Sequence, residues 1–310
     1  MTVNPEFQKL LNTPNVKFTI ILGAGYHRQA LGCDTALSSW DVLLNTLKPE
    51  AKLTGQYHLD FEKIIESEKN ANQDSYKTEQ RLIKHIQDII EKEQEKALKE
   101  YRNCYSMGIF NPDKISDVVS LNFDQIPERL LNNNSKKHKY VNISSFSKPA
   151  KGRKTFSKQS YSYLSTRYEE IKFSGKESIR FWHPHGVIEN NKSIVLGLHR
   201  YAQLVKNTIS LRDKYMQEKK ENTNQFQITT WYQSIIYNPI IILGASLSPI
   251  EWDLWYALTA RSRANNDKKA IFQMRECECR EQHQHAWFQP LFTGMCFDEQ
   301  WKKLDRLFNS

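Results

Sequence analysis

Two glycine-containing turns in this sequence have the residue types and positions that bind phosphate groups. Gly23–Gly25 follows one short apolar run, and Gly244–Ser246 follows another. Glycine lets the backbone turn tightly and approach a ligand without an intervening Cβ atom. If a helix begins after such a turn, its free N–H groups and the positive end of its dipole favour an anion. We therefore expect a nucleotide pyrophosphate to bind at Gly23, Ala24, Gly25, Gly244 and Ser246. The alternative is that these segments are ordinary tight turns.

Polar side chains that can bind a ligand or accept a proton follow two further apolar runs. Asn122 and Asp124 follow one run, and His183 and His185 follow the other. Open α/β sheets bind ligands at the carboxyl ends of their strands, where these residues are expected to lie. Histidine titrates near neutral pH, so we expect His185, which directly precedes a glycine, to act as a base, with His183 as the competing candidate. For Asp124, the alternative is an Asx turn that caps the next helix.

These clusters require four buried strands whose ends meet at one edge of a sheet. Short apolar runs closed by glycine or polar residues are typical of buried parallel strands. The runs lie at 19–22, 117–121, 178–182 and 239–243. Helical patterns separate them, so we expect an α/β fold with a Rossmann-like parallel sheet and helices on both faces.

The sequence predicts one domain over residues 1–310 with two additions to the sheet and its helices. Apolar residues recur every three or four positions at 59–104, which predicts a helical insertion with a break near Asn70–Ser75. Residues 132–167 contain many lysines and arginines and no acidic residue, and they predict a flexible basic connection. We interpret this connection as a solubilising or partner-docking loop. The alternative is a nucleic-acid-binding arm in which Tyr161 and Tyr163 stack on bases.

Length, charge and cysteine content exclude several classes of protein. The 310 residues carry a net charge of +9, and no run of eighteen apolar residues is present, so no membrane-spanning helix is expected. The segment Met1–Lys17 lacks the apolar core of a secretory signal. The five cysteines include no Cys-x-x-Cys pair, so we expect no metal site and a reducing cytoplasm. An exposed turn is the interpretation of the one metal-like cluster, which contains Cys277, Cys279, His283 and His285.

The order of these motifs resembles that of the sirtuin-like proteins, which have an NAD-binding sirtuin (DHS-like) fold. Members carry Gly-Ala-Gly, then Gln-Asn-x-Asp, then His-Gly, then Gly-x-Ser. The corresponding segments here are Gly23–Gly25, Asn122–Asp124, His185–Gly186 and Gly244–Ser246. This chain departs from the deacetylases of the family because it lacks their four zinc cysteines and their Pro-x-Phe-Arg motif, and has Leu121 in place of Gln. The departures resemble bacterial sirtuin-like effectors that hydrolyse NAD during antiphage defence.

The resemblance implies an NAD+ glycohydrolase (NADase) that converts NAD+, its substrate, to nicotinamide and ADP-ribose without a metal. It implies that Asn122 holds the ribose or the incoming water and that His185 accepts a proton from that water. Asp124 is expected to contact the nicotinamide side or to orient Asn122. The pyrophosphate is expected to lie against the glycine turns, with Tyr26 or Phe123 stacking on the ligand or excluding water.

The resemblance also implies a cytoplasmic bacterial effector of abortive infection, controlled by oligomerisation or by a separately encoded partner. Such partners include ATPases, argonaute-type proteins and nucleotide-pyrophosphatase-like sensors. Two alternatives stay open: a non-catalytic subunit that binds NAD or ADP-ribose, and a nucleic-acid-associated protein that acts through the basic connection. Release of nicotinamide from NAD+ tests the first alternative, and salt-dependent DNA binding tests the second.

Overall fold

The computed structural model describes most of the chain, and every structural statement below refers to the residues that it describes. These are residues 2–69, 74–133, 139–141, 168–173, 177–221, 230–247, 251–264, 270–274 and 288–309.

The centre of the fold is an eight-stranded sheet in the order β4-β5-β6-β3-β2-β7-β8-β9, and a separate pair joins β1 to β10. The strands are β1 (Thr2–Val3), β2 (Phe18–Leu22), β3 (Ile115–Ser120), β4 (Lys139–Val141), β5 (Tyr168–Lys172), β6 (Ser178–Trp182), β7 (Ile240–Leu243), β8 (Ile271–Gln273), β9 (Phe288–Pro290) and β10 (Phe292–Thr293). From β6 across the sheet to β9 all neighbouring strands are parallel, and the antiparallel pairs in this sheet are β4 with β5 and β5 with β6, at one edge. The predicted parallel sheet is therefore confirmed.

The six parallel strands follow the order of a doubly wound, Rossmann-like sheet. Numbered by their place in the chain, β2, β3, β6, β7, β8 and β9 lie across the sheet as 3-2-1-4-5-6. The first of them, β2, is central and pairs with β3 on one side and with β7 on the other. The order reverses between β2 and β7, and sheets of this kind bind ligands outside the carboxyl ends of the strands at that point.

Ten α-helices connect and cover the strands in the described part of the chain. They are α1 (Pro5–Leu11), α2 (Gly25–Leu31), α3 (Trp40–Leu47), α4 (Tyr57–Glu68), α5 (Ser75–Glu100), α6 (Ile126–Asn133), α7 (Leu198–Glu221), α8 (Trp231–Tyr237), α9 (Trp252–Ala264) and α10 (Phe297–Asn309). Two 3₁₀ segments, Arg102–Cys104 and Ile188–Ser193, complete the connections. None of the described helices is both long and apolar enough to cross a membrane.

Helices lie on both faces of the sheet, and each face has its own apolar core. Side chains alternate along β2, so that Ile20 and Leu22 join the larger core while Ile21 joins the smaller one. The larger core also receives side chains from α3, α4, α5, α6 and α10, and the smaller core receives them from α8 and α9. The predicted helical insertion at 59–104 therefore packs into the main core.

The break predicted inside the insertion is present, since α4 ends at Glu68 and α5 begins after Asp74, whose carboxylate caps it. Most of the basic connection 132–167, with Tyr161 and Tyr163, lies outside the described residues. The metal-like cluster also lies outside them, with all four of its members: Cys277, Cys279, His283 and His285.

Candidate active site

The two glycine turns lie against each other at the point where the strand order reverses. The Gly25 N–H donates to the Gly244 carbonyl at 2.8 Å. A Cβ atom on Gly23 would lie 2.5 Å from that carbonyl oxygen, and one on Gly244 would lie 2.3 Å from the Tyr26 nitrogen. Gly244 also has a φ of +64°, which side chains disfavour. The glycines therefore allow two loops to meet backbone to backbone, while their contact with phosphate stays a prediction.

The other residues predicted to contact the ligand differ in their exposure. Tyr26 is fully buried, with its ring centroid 5.3 to 6.0 Å from those of Tyr105, Phe110 and Trp301. It is a core side chain with no ring face open to a ligand, so the expected stacking role does not fit it here. Phe123 is also buried and meets Trp40 edge-on, with 5.1 Å between ring centroids. Ser246 is exposed, at the end of the second glycine turn.

Asn122 and Asp124 belong to a buried network centred on His27, the third residue of α2. The His27 Nε2 atom lies 2.9 Å from Asp124 Oδ2 and 3.2 Å from the Asn122 side-chain amide, and Nδ1 lies 3.2 Å from the Tyr105 hydroxyl. Burial would raise the pKa of Asp124, but the His27 ring outweighs burial and lowers it. The second Asp124 oxygen accepts from the Ile126 N–H at 3.0 Å. Asp124 thus forms the Asx turn that was its alternative role, and it holds His27 as well.

His183 forms a second buried pair with Glu128 from the first turn of α6. Its Nε2 lies 2.6 Å from Glu128 Oε1, and its Nδ1 donates to the Asn122 backbone carbonyl at 3.2 Å. Burial alone would lower the pKa of His183, but the Glu128 carboxylate outweighs it and raises that pKa to about 9. His183 is therefore a cation at neutral pH, with both ring N–H groups already donated.

His185 forms a third buried pair, with Asp253 from the first turn of α9. The His185 Nε2 to Asp253 Oδ2 distance is 3.1 Å, and the Tyr201 hydroxyl of α7 donates to the other carboxylate oxygen at 2.8 Å. Burial opposes the charge on His185, but Asp253 outweighs burial and raises the pKa of the ring. Asp253 is completely buried, and its hydrogen bond with Nε2 fixes the orientation of the His185 imidazole.

His58 of α4 adds a fourth histidine beside this third pair. Its ring stacks on Tyr201 with 4.0 Å between centroids and 16° between planes. Burial, together with the neighbouring His185, lowers the pKa of His58 to about 4. His58 Nδ1 is buried without a hydrogen-bond partner, so the ring stays neutral at physiological pH.

Asn122 and His185 lie on neighbouring loops, which are joined by hydrogen bonds to the backbone of the Asn122 loop. His183 bonds to the Asn122 carbonyl, and the Ile188 N–H donates to the Phe123 carbonyl at 2.9 Å. In the chain, His185 therefore lies between two residues, His183 and Ile188, that form hydrogen bonds with the Asn122 loop. The hydrogen bonds of the two side chains nevertheless run to different partners: Asn122 contacts His27, and His185 contacts Asp253.

A small cavity lies directly beside Asn122. It has a volume of about 20 Å³, which holds about one water molecule. It is lined by Ala24, Ala36, Leu37, Trp40, Leu43, Ile90, Asn122, Phe123 and Asp124. The cavity joins the first glycine turn to the Asn122 loop, and its volume is smaller than a nicotinamide ring requires.

The structure brings in residues that the motifs alone do not single out. His27 is two residues beyond Gly25, and Glu128 and Asp253 lie in the first turns of helices that follow motif loops. Their positions next to the motifs are a signal that sequence reading could have used. His58 and Tyr201 come from α4 and α7 and have no such local signal, because only the tertiary fold places them beside His185.

Within the described residues, no group of three or more histidine, cysteine, aspartate or glutamate side chains is arranged to hold a metal ion. No model of a known protein family matches this sequence, and no curated protein matches it significantly. The function is therefore argued from the site itself.

Proposed function

We propose that this chain is an NAD+ glycohydrolase, which breaks the bond between nicotinamide and ribose and releases nicotinamide and ADP-ribose. The observation that carries the proposal is the 3-2-1-4-5-6 strand order, with glycine turns on both strands at the reversal point. The polar residues Asn122 and His185 follow β3 and β6, the two strands next to β2 on one side. The motif order that resembles the sirtuin-like proteins adds the specific NAD-binding fold to the proposal.

The reaction asks little of the protein beyond placing one water molecule and removing its proton. Nicotinamide already leaves NAD+ as a neutral molecule from a cationic bond, and water forms the new bond to the ribose carbon. His185 accepts a proton from that water, and His185 releases this proton to solvent after nicotinamide and ADP-ribose leave. Asn122 holds a ribose or water oxygen close to the reacting carbon. General-base catalysis of this kind contributes roughly 10²–10⁴-fold to the rate.

The hydrogen bonds favour His185 over His183 as the base. Asp253 accepts from Nε2 of His185, so in the neutral ring the lone pair resides on Nδ1, for which the described residues provide no hydrogen bond. Both ring nitrogens of His183 are already occupied by hydrogen bonds, to Glu128 and to the Asn122 carbonyl, so His183 has no free nitrogen to accept the proton of water. Asp253 and Tyr201 then act as positioning residues for His185.

A second candidate function is a non-catalytic subunit that binds NAD or ADP-ribose. The observation that favours it is the volume of the cavity beside Asn122, about 20 Å³, which is smaller than a nicotinamide ring requires. The same small cavity is expected of an enzyme that waits for activation. Control by a partner or by oligomerisation, and a role as a cytoplasmic effector of antiphage abortive infection, are proposed from the resemblance alone.

Nicotinamide release from NAD+ separates the two candidates. The full chain is incubated with NAD+ over a range of protein concentrations, so that self-association can activate it, and nicotinamide is quantified by chromatography. We expect release from the wild type and a loss of about 100-fold or more in His185→Ala, the lower end of the effect of a general base. The matched control is His85→Ala, an exposed histidine on α5. Binding of NAD+ without nicotinamide release would establish the non-catalytic subunit instead.

A further inference from the structure

We propose that His27 is a positioning residue that fixes the side-chain amide of Asn122 with its NH₂ group directed into the cavity. Asn122 then acts as a hydrogen-bond donor to an oxygen atom of the ligand, either a ribose hydroxyl or the attacking water. The inference rests on the proposed function for the identity of that oxygen. The orientation of the amide follows from the hydrogen bonds of His27 together with the ionised state of Asp124, and it does not depend on the reaction.

The partners of His27 determine which of its nitrogens carries a proton. Asp124 is ionised, because its pKa lies below the ordinary value of 3.8, and a carboxylate can only accept a hydrogen bond. Nε2 of His27 must therefore carry the proton that is donated to Asp124 at 2.9 Å. Nδ1 then accepts from the Tyr105 hydroxyl at 3.2 Å in the neutral ring. In the protonated ring Nδ1 carries a proton as well, and Nε2–H is unchanged.

The protonated Nε2 determines the orientation of Asn122. The oxygen and nitrogen of an asparagine amide are assigned from the hydrogen bonds around them. The structure places the side-chain nitrogen of Asn122 3.2 Å from His27 Nε2, but two donors cannot bond to each other. We therefore assign that position to the amide oxygen, and the NH₂ group takes the opposite position. Asn122 is half-buried and lines the cavity, so in this orientation the donor that it offers to a ligand is the NH₂ group on the side away from His27.

His27 can hold this orientation because its ring is fixed on every side. Its side chain is completely buried, and the rings of Tyr26 and Tyr105 meet it edge-on at 5.5 and 5.9 Å between centroids. Both carboxylate oxygens of Asp124 are occupied, one by His27 and one by the Ile126 N–H. Asp124 therefore acts on the orientation of Asn122 through His27, while a direct contact between Asp124 and nicotinamide stays a prediction.

The protonation of His27 is tested first, by a measurement that needs no enzymatic activity. Histidine ring nitrogens of the ¹⁵N-labelled full chain are observed by NMR, and the His27 signals are assigned by their loss in His27→Gln. The expected result is a protonated Nε2 at pH 7. An unprotonated Nε2 would overturn the inference whether or not the chain hydrolyses NAD+.

Kinetics test the positioning role. His27→Leu is expected to lower kcat by about 100-fold, the effect of a misplacement of roughly 1 Å, with KM changed by less than about threefold. His27→Gln retains an N–H donor for Asp124, so it is expected to recover at least about tenfold of that loss. Tyr105→Phe keeps Nε2–H and is expected to lower kcat less than His27→Leu. Equal losses of kcat in His27→Gln and His27→Leu, at unchanged melting temperature, would contradict positioning through this hydrogen bond.

If His27→Leu does not fold, His27→Gln is compared with the wild type instead, because His27→Gln leaves Asp124 with a hydrogen-bond donor. If the wild type releases no nicotinamide, the proposed function fails, and the protonation state of His27 still decides whether Asn122 presents its NH₂ group to the cavity.

Discussion

Replacing Gly244 by alanine tests whether backbone contact between the two glycine turns holds the centre of the sheet together. Two costs add at this position. A side chain at a φ of +64° costs about 1–2 kcal/mol. A Cβ atom 2.3 Å from the Tyr26 nitrogen must push the two loops apart, and overpacking of this kind costs about 1–3 kcal/mol more. We therefore expect Gly244→Ala to reduce the free energy of unfolding by about 2–5 kcal/mol.

The chain offers a matched control at Gly55, which has a φ of +77° but no heavy atom within 4 Å of an added Cβ. Gly55→Ala has only the conformational cost, about 1–2 kcal/mol. Because 1 kcal/mol shifts the melting temperature of a chain of this size by roughly 2 °C, calorimetry should show losses of about 4–10 °C for Gly244→Ala and about 2–4 °C for Gly55→Ala. Equal losses in the two variants would refute the account of the glycine turns.

Three further predictions concern the buried histidines. Pairing with Glu128 raises the pKa of His183 from 6.5 to about 9, so the pair stabilises the fold fully below pH 6.5 and loses this contribution as pH rises through 9. Urea unfolding of Glu128→Gln should lack this decline in stability, and a decline equal to that of the wild type would contradict the role of the pair. The pKa of His58 is lowered from 6.5 to about 4, so the unfolded chain binds this proton at a higher pH than the folded chain does. The free energy of unfolding should therefore fall as pH drops from 6.5 towards 4. His58→Phe should reduce this fall, and an unchanged fall would show that His58 is not its cause. Asp253→Asn removes the carboxylate that orients His185, so nicotinamide release should fall by about 10²-fold or more at similar KM; wild-type kcat in this variant would exclude the proposed pair.

The strands at the centre of the sheet could be predicted from the sequence because their apolar runs are continuous and end in glycine or polar residues. This holds for β2, β3, β6 and β7. The short strands β9 and β10, with three and two residues, are not predictable in this way because they are too short to show an alternating pattern. The position of β9 depends on its pairing with β8, and that of β10 on its pairing with β1 at the other end of the chain. Only the fold brings these partners together.

The candidate site could be predicted only where a residue lies at a strand end. Asn122, Asp124 and His185 satisfy that condition, and the structure places them on neighbouring loops. Their partners decide the chemistry and come from other elements. A capping role for Asp124 is readable from the sequence, whereas its contact with His27 requires α2 to pack against the β3 loop. Tyr26, adjacent to the glycine turn, points into the core because α2 turns it towards Trp301.

A crystal structure of the chain with ADP-ribose bound tests the central claim most directly, since this molecule carries the pyrophosphate and the ribose but not nicotinamide. We predict the pyrophosphate beside the Gly23–Gly25 turn, and the ribose that bears the scissile bond in contact with both Asn122 and His185. ADP-ribose bound at another place, or touching only one of these two side chains, would contradict a shared hydrolytic site at the carboxyl ends of the central strands.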